Sequence, residues 1–115
     1  MILFTTDHGL PFPGMKCHLY DEGMGVSFVM RYPGMPQTHK VSKALLSQTD
    51  VFPTLCEILG LEKPEWLEGH SFLPILRGEA QKIRTEVFGE INYHVAYEPA
   101  RCVRTCRYKY IARWD

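Results

Sequence analysis

The chain has 115 residues, of which 45% are hydrophobic and 23% charged, enough for a modest globular fold with a core. Its 13 basic and 13 acidic side chains cancel, which excludes the whole-chain positive field that nucleic-acid binding draws on. No apolar run approaches the roughly 18 residues that cross a bilayer, and the first residues do not read as a signal peptide, so no membrane partner is expected and the compartment stays open.

Met1 to Thr6 is apolar and β-branched, the pattern of a strand covered on both faces. Asp7 and His8 follow at its carboxyl end, where open α/β sheets bind ligands, and Gly9 lets the chain turn sharply out of the sheet. A buried strand here needs neighbours on both sides, yet few parallel-type strands follow. The chain is therefore expected to be the C-terminal part of something longer. Leu10 to Gly25 contains two prolines and three glycines and reads as a loop, with Lys16 its only lysine or arginine.

Gly25 to Tyr32 reads as a second strand, ended by Pro33-Gly34 and a polar turn at Pro36 to Lys40. Val41 to Leu46 is ambiguous. Asp50 to Leu59 predicts a helix, with Asp50 as cap, Pro53 in the first turn and Gly60 as stop. Val51, Leu55, Ile58 and Leu59, extended by Phe52, form a stripe at helical spacing that should pack against a sheet. Ser71 to Arg77 predicts a short helix between a serine cap and Gly78, and Glu79 to Arg84 a polar linker.

Thr85 to Ile91 reads as a strand, and Ala100 to Ala112 as one further alternating strand. In it Cys106, Tyr108, Tyr110 and Ala112 share one face, and Arg107, Lys109, Ile111 and Arg113 the other. The expected organisation is α/β over 1–78 followed by a small antiparallel α+β segment over 79–115. Cys17, Cys56, Cys102 and Cys106 form neither a CxxC nor a Cys/His zinc pair, so free thiols are expected.

Four fragments together resemble one family in its own order. Phe4-Thr5-Thr6-Asp7-His8-Gly9 resembles the C-terminal metal-site motif of sulfatases in the alkaline-phosphatase superfamily. Asp50-Val51-Phe52-Pro53-Thr54-Leu55 with Gly60 resembles their Asp-x-x-Pro-Thr-Leu helix. Gly69-His70-Ser71-Phe72-Leu73-Pro74-Ile75-Leu76-Arg77-Gly78 is similar to their Gly-x-Ser-x-x-Pro-x-Leu-x-Gly segment, and Val103-Arg104-Thr105 with Tyr108-Lys109-Tyr110 to their late Val-Arg-Thr-x-x-Tyr-Lys-Tyr strand. Leu10-Pro11-Phe12-Pro13, Lys16, Leu19-Tyr20 and Val87-Phe88-Gly89-Glu90 with Tyr93-His94 most resemble the sulfamidase branch.

The resemblance implies the C-terminal part of an alkaline-phosphatase-like sulfatase fold with a small antiparallel C-terminal subdomain. It implies hydrolysis of a sulfate ester or sulfamate on a sugar. Asp7 and His8 would ligate one divalent cation, Ca2+ first, with Mg2+ or Mn2+ as alternatives. Lys16 would be the catalytic cation contacting the sulfate, and Glu90 and His94 would line the substrate pocket. Sulfatases attack with a formylglycine made from Cys or Ser in a Cys/Ser-x-Pro/Ala-x-Arg context. None of the four cysteines here has Pro or Ala two residues on, so the chain alone is expected to be inactive. Two other readings stand beside this one: a phosphodiester or phosphonate hydrolase of the same superfamily, and a non-catalytic piece that forms a homo-oligomer through its sheet edges.

Overall fold

In the computed structural model residues 1–35, 40–94 and 96–114 are described, so of the polar turn expected at Pro36 to Lys40 only Lys40 lies within them. Contacts gather the chain into two compact units, Met1–Pro33 with Phe88–Asp115, and Gly34–Val87. Grouping by contact thus differs from the 1–78 and 79–115 division in chain order, because the last strands pack on the loop that follows the first.

In the first unit β1 (Ile2–Thr5) pairs antiparallel with β2 (Phe28–Arg31), Ile2 opposite Arg31 and Thr5 opposite Phe28. Thr6 continues the pairing: its N–H donates to the Ser27 carbonyl at 3.2 Å, and its hydroxyl accepts from the Ser27 N–H at 3.0 Å. The faces expected to be covered are open among the described residues, where Ile2, Phe4 and Val29 are all exposed. A two-stranded sheet has no second layer of its own to bury them. A single helical turn, α1 (Asp21–Met24), interrupts what reads as loop. Gly23 and Gly25 hide it in the sequence, while Asp21 and Glu22 favour its first turn.

A second sheet contains β3 (Glu86–Tyr93), β4 (Tyr97–Thr105) and β5 (Lys109–Arg113), with β4 central. The single strand expected over Ala100 to Ala112 is therefore a hairpin, antiparallel, with Ala100 opposite Arg113 and Arg104 opposite Lys109. Thr105 makes the turn. Its N–H donates to the Tyr108 carbonyl at 2.8 Å, and its hydroxyl accepts from the Tyr108 N–H at 2.9 Å. Leu19, Ala100 and Cys102 form the core of this unit, with Met24, Ile91 and Ile111 packed against it. Of the two faces read along Cys106 to Arg113, the one carrying Lys109 and Ile111 turns inward, while Tyr108 and Tyr110 are exposed.

In the second unit a 3-10 turn (Gln48–Asp50) leads into α2 (Val51–Leu59), and α3 (Leu73–Arg77) follows. Gly60 and Gly78 end the two helices in the left-handed conformation, as their positions predict. Ser71 accepts from the Leu73 N–H at 3.2 Å, close to its expected capping role. Asp50 departs from expectation. Its side chain does not cap α2; it is fully buried, accepting from the N–H groups of Ser47 at 2.7 Å and His70 at 2.8 Å and from the Arg84 guanidinium. The buried side of α2 is correspondingly Pro53, Thr54 and Cys56, and Phe52 and Leu59 of the predicted stripe are exposed. Among the described residues the helix packs on α3: the Thr54 hydroxyl accepts from the Phe72 N–H at 3.0 Å and donates to the Asp50 carbonyl at 2.6 Å.

Candidate active site

All five predicted site residues fall in the first unit. Asp7 and His8 leave the end of β1 together, with His8 Nε2 3.7 Å from Asp7 Oδ1. His8 Nδ1 lies 2.7 Å from the Gly9 carbonyl oxygen. A carbonyl only accepts, so Nδ1 carries the proton, and in the neutral ring the Nε2 lone pair is left facing the Asp7 carboxylate. A backbone carbonyl holding the far ring nitrogen in this way is the usual partner of a metal-bound histidine.

Gly9 is needed here for space rather than for an unusual φ. A Cβ on it would stand 2.0 Å from the Glu22 carbonyl oxygen. The backbones meet directly, Gly9 N–H donating to the Gly23 carbonyl at 3.1 Å and Leu10 N–H to the Glu22 carbonyl at 2.9 Å. Lys16 sits in turns stitched by Met15 N–H to the Phe12 carbonyl at 3.0 Å and His18 N–H to the Met15 carbonyl at 3.1 Å. Its side chain is exposed, and Cys17 beside it adopts a positive φ of 65°, a conformation that β-carbon sterics disfavour.

Glu90 is exposed on β3 and pairs with Arg101 of β4 at 3.0 Å. The two line an open groove of about 350 Å3 together with Phe88, Gly89 and Cys102. His94 is exposed at the end of β3 and does not line that groove. Among the described residues no hydrogen bond or ion pair joins Lys16, Glu90 or His94 to the Asp7–His8 pair, and no group of three or more His, Cys, Asp or Glu side chains gathers as a metal cage. All four cysteines are free thiols.

The donor set fits a divalent cation as half a site. One carboxylate oxygen and one imidazole nitrogen stand 3.7 Å apart, a gap that two metal–ligand bonds of about 2.3 Å can close.

One cluster near this loop escapes sequence reading. Asp21 on α1 accepts from Lys109 Nζ at 2.6 Å and from Arg104 Nε and Nη2 at 3.1 and 3.3 Å. Lys109 also donates to the Leu19 carbonyl at 2.8 Å. The Lys109 hydrogen bond above all, with Arg104 adding to it, holds the Asp21 carboxyl below the usual carboxylate range against the opposing effect of burial. Arg104 and Lys109 are cross-strand partners, a relation invisible while 100–112 reads as one strand. Their place in the Val-Arg-Thr-x-x-Tyr-Lys-Tyr pattern is the signal that points to them.

A solved 2-O GAG sulfatase superposes on the chain with a TM-score of 0.72 at 39% identity, over 84% of this chain and 22% of that one, so the fold is a sulfatase fold. The chain belongs to the family described as N-sulphoglucosamine sulphohydrolase, C-terminal, which it matches over residues 12–115. It is 34% identical to an ulvan-active sulfatase of Formosa agariphila, over 100% of this chain and 23% of that protein. It is 36% identical to a Delta 4,5-hexuronate-2-O-sulfatase of Bacteroides thetaiotaomicron, over 96% and 25%. With the human N-sulphoglucosamine sulphohydrolase it shares 31% identity over 82% and 20%. The chain thus spans between a fifth and a quarter of the length of these relatives. Asp7 and His8 precede the span matched by the family, but lie within the full-length match to the Formosa protein.

Proposed function

We propose that this chain serves as the C-terminal part of a sulfatase that removes sulfate from a sugar, as an ester or a sulfamate, and that it contributes half of the metal site and the cation that meets the sulfate. The observation that carries the reading is the Asp7–His8 pair, set 3.7 Å apart with His8 Nδ1 2.7 Å from the Gly9 carbonyl oxygen. The names of the relatives, sulfatases of hexuronate, ulvan and N-sulphoglucosamine, support the substrate class.

Asp7 and His8 Nε2 would hold the cation, Ca2+ before Mg2+ or Mn2+. When bound, such an ion supplies Lewis-acid neutralisation of charge on the sulfuryl oxygens. Lys16, an exposed lysine in the loop after Asp7 and His8, would supply an ammonium to offset the same developing charge. Glu90, fixed by Arg101 along an open groove large enough for a sugar ring, orients the substrate; His94 contributes from the end of β3. The formylglycine nucleophile and the remaining cation ligands come from elsewhere in the enzyme.

The test is a paired assay of the 115-residue chain and the full-length sulfatase on N-sulfoglucosamine and on a 2-O-sulfated unsaturated hexuronate disaccharide. The expected result is sulfate release by the full-length protein and none by the chain alone. Release by the chain alone would overturn the division of labour.

A further inference from the structure

The α1 turn touches the two segments that carry Asp7, His8 and Lys16. Its carbonyls at Glu22 and Gly23 receive the N–H groups of Leu10 and Gly9, directly behind Asp7 and His8. On its other side Gly23 is pressed against the Lys16 turn so closely that a Cβ there would stand 2.1 Å from the Met15 carbonyl oxygen and 2.4 Å from that of His18. Neither approach leaves room for the turn to shift alone.

α1 has no fully buried residue; Met24 packs it against the Leu19, Ala100 and Cys102 core, and its polar tether is Asp21. The carboxylate is gripped by Arg104 and Lys109 from opposite strands of the β4–β5 hairpin, and the side chains of both cations are mostly buried, with 26% and 14% of their surface exposed. Lys109 adds a second hold two residues earlier, at the Leu19 carbonyl. Charge-assisted bonds of this kind at partly buried cations are stronger and more directional than ordinary surface pairs.

We infer that Asp21, clasped between Arg104 and Lys109, is a positioning residue that fixes the Asp7–His8 pair and Lys16 relative to the hairpin. This rests on the sulfatase reading of those three residues. The clasp touches neither substrate nor cation; it acts through the α1 backbone, which carries the hairpin's position to both arms of the site. It also explains why a basic residue stands at each end of the Arg-Thr-x-x-Tyr-Lys segment, where a hairpin alone would ask for neither.

The experiment is calcium titration calorimetry and steady-state kinetics on the full-length sulfatase, using N-sulfoglucosamine and the 2-O-sulfated disaccharide as probes, with Asp21→Asn, Asp21→Glu and Asp7→Ala compared. Asp21→Asn should weaken calcium binding about tenfold and lower kcat by a similar factor, since loss of an orienting contact outside the ligand set costs that much. Asp21→Glu, which can still reach both cations, should recover most of both. Asp7→Ala should abolish calcium binding at this site. Should Asp7→Ala bind calcium normally, the site reading itself fails. Should Asp7→Ala lose calcium while Asp21→Asn keeps both calcium affinity and kcat, or should Asp21→Glu behave no better than Asp21→Asn, the positioning role fails and the clasp is only structural.

Discussion

Asp21 illustrates what one side chain adds when its partners come from distant sequence. Its carboxyl is held below the ordinary range by Lys109 and Arg104, so the folded chain keeps it ionised at a pH where the unfolded chain has begun to protonate it. The contribution to stability is therefore present above the usual aspartate value near 3.8 and is lost as pH falls through the lower, folded value. Acid unfolding followed by circular dichroism should show a shallower loss of stability below about pH 4 in Asp21→Asn than in the unmodified chain. Identical acid limbs would mean that the two cations do not favour the ionised form. At the same scale, the placing of Asp7 and His8 at the end of β1 and of Lys16 in the following loop was legible in the sequence, because an apolar run and then a Pro/Gly-rich stretch mark them. The clasp was not, since its three members are separated by more than 80 residues between α1 and the hairpin.

Among the elements, the helices were the most legible and the closing hairpin the least. Gly60 and Gly78 announce helix ends through their backbone freedom, and both stand in the left-handed conformation. The hairpin turn has no Gly, Pro, Asn or Asp to announce it; Thr105 closes it by accepting the N–H of Tyr108, so alternation runs unbroken through Cys106 and Arg107. Asp50 shows the same limit. Its position before α2 suggests a cap, but the carboxylate ties the 3-10 turn, the His70 backbone and Arg84 into one buried node. Asp50→Ala should destabilise the chain by about 3–5 kcal/mol, because it leaves the Arg84 charge and two N–H groups without their acceptor. Urea titration checks this, and a loss below about 1 kcal/mol would show the node to be no more than a surface pair.

At the scale of the whole chain, the apolar residues of β1 and β2 stand exposed among the described residues, and the chain spans between a fifth and a quarter of the length of its relatives. Composition reports what a strand prefers to pack against, and the two-stranded pair has no second layer of its own. Belonging to the sulfatase family was legible because four short motifs keep the family's order; which strands pair, and which side chains reach each other across them, was not, because pairing partners leave no local trace in a single sequence. Whether Asp7 and His8 are two ligands of a catalytic cation in a sulfatase is decided by Asp7→Ala in the full-length protein, with sulfate release and calcium binding measured on the same preparation. The expected result is loss of calcium from the site and a fall in kcat/KM on the order of a hundredfold or more; calcium binding and sulfate release equal to those of the unmodified enzyme would contradict the ligand role.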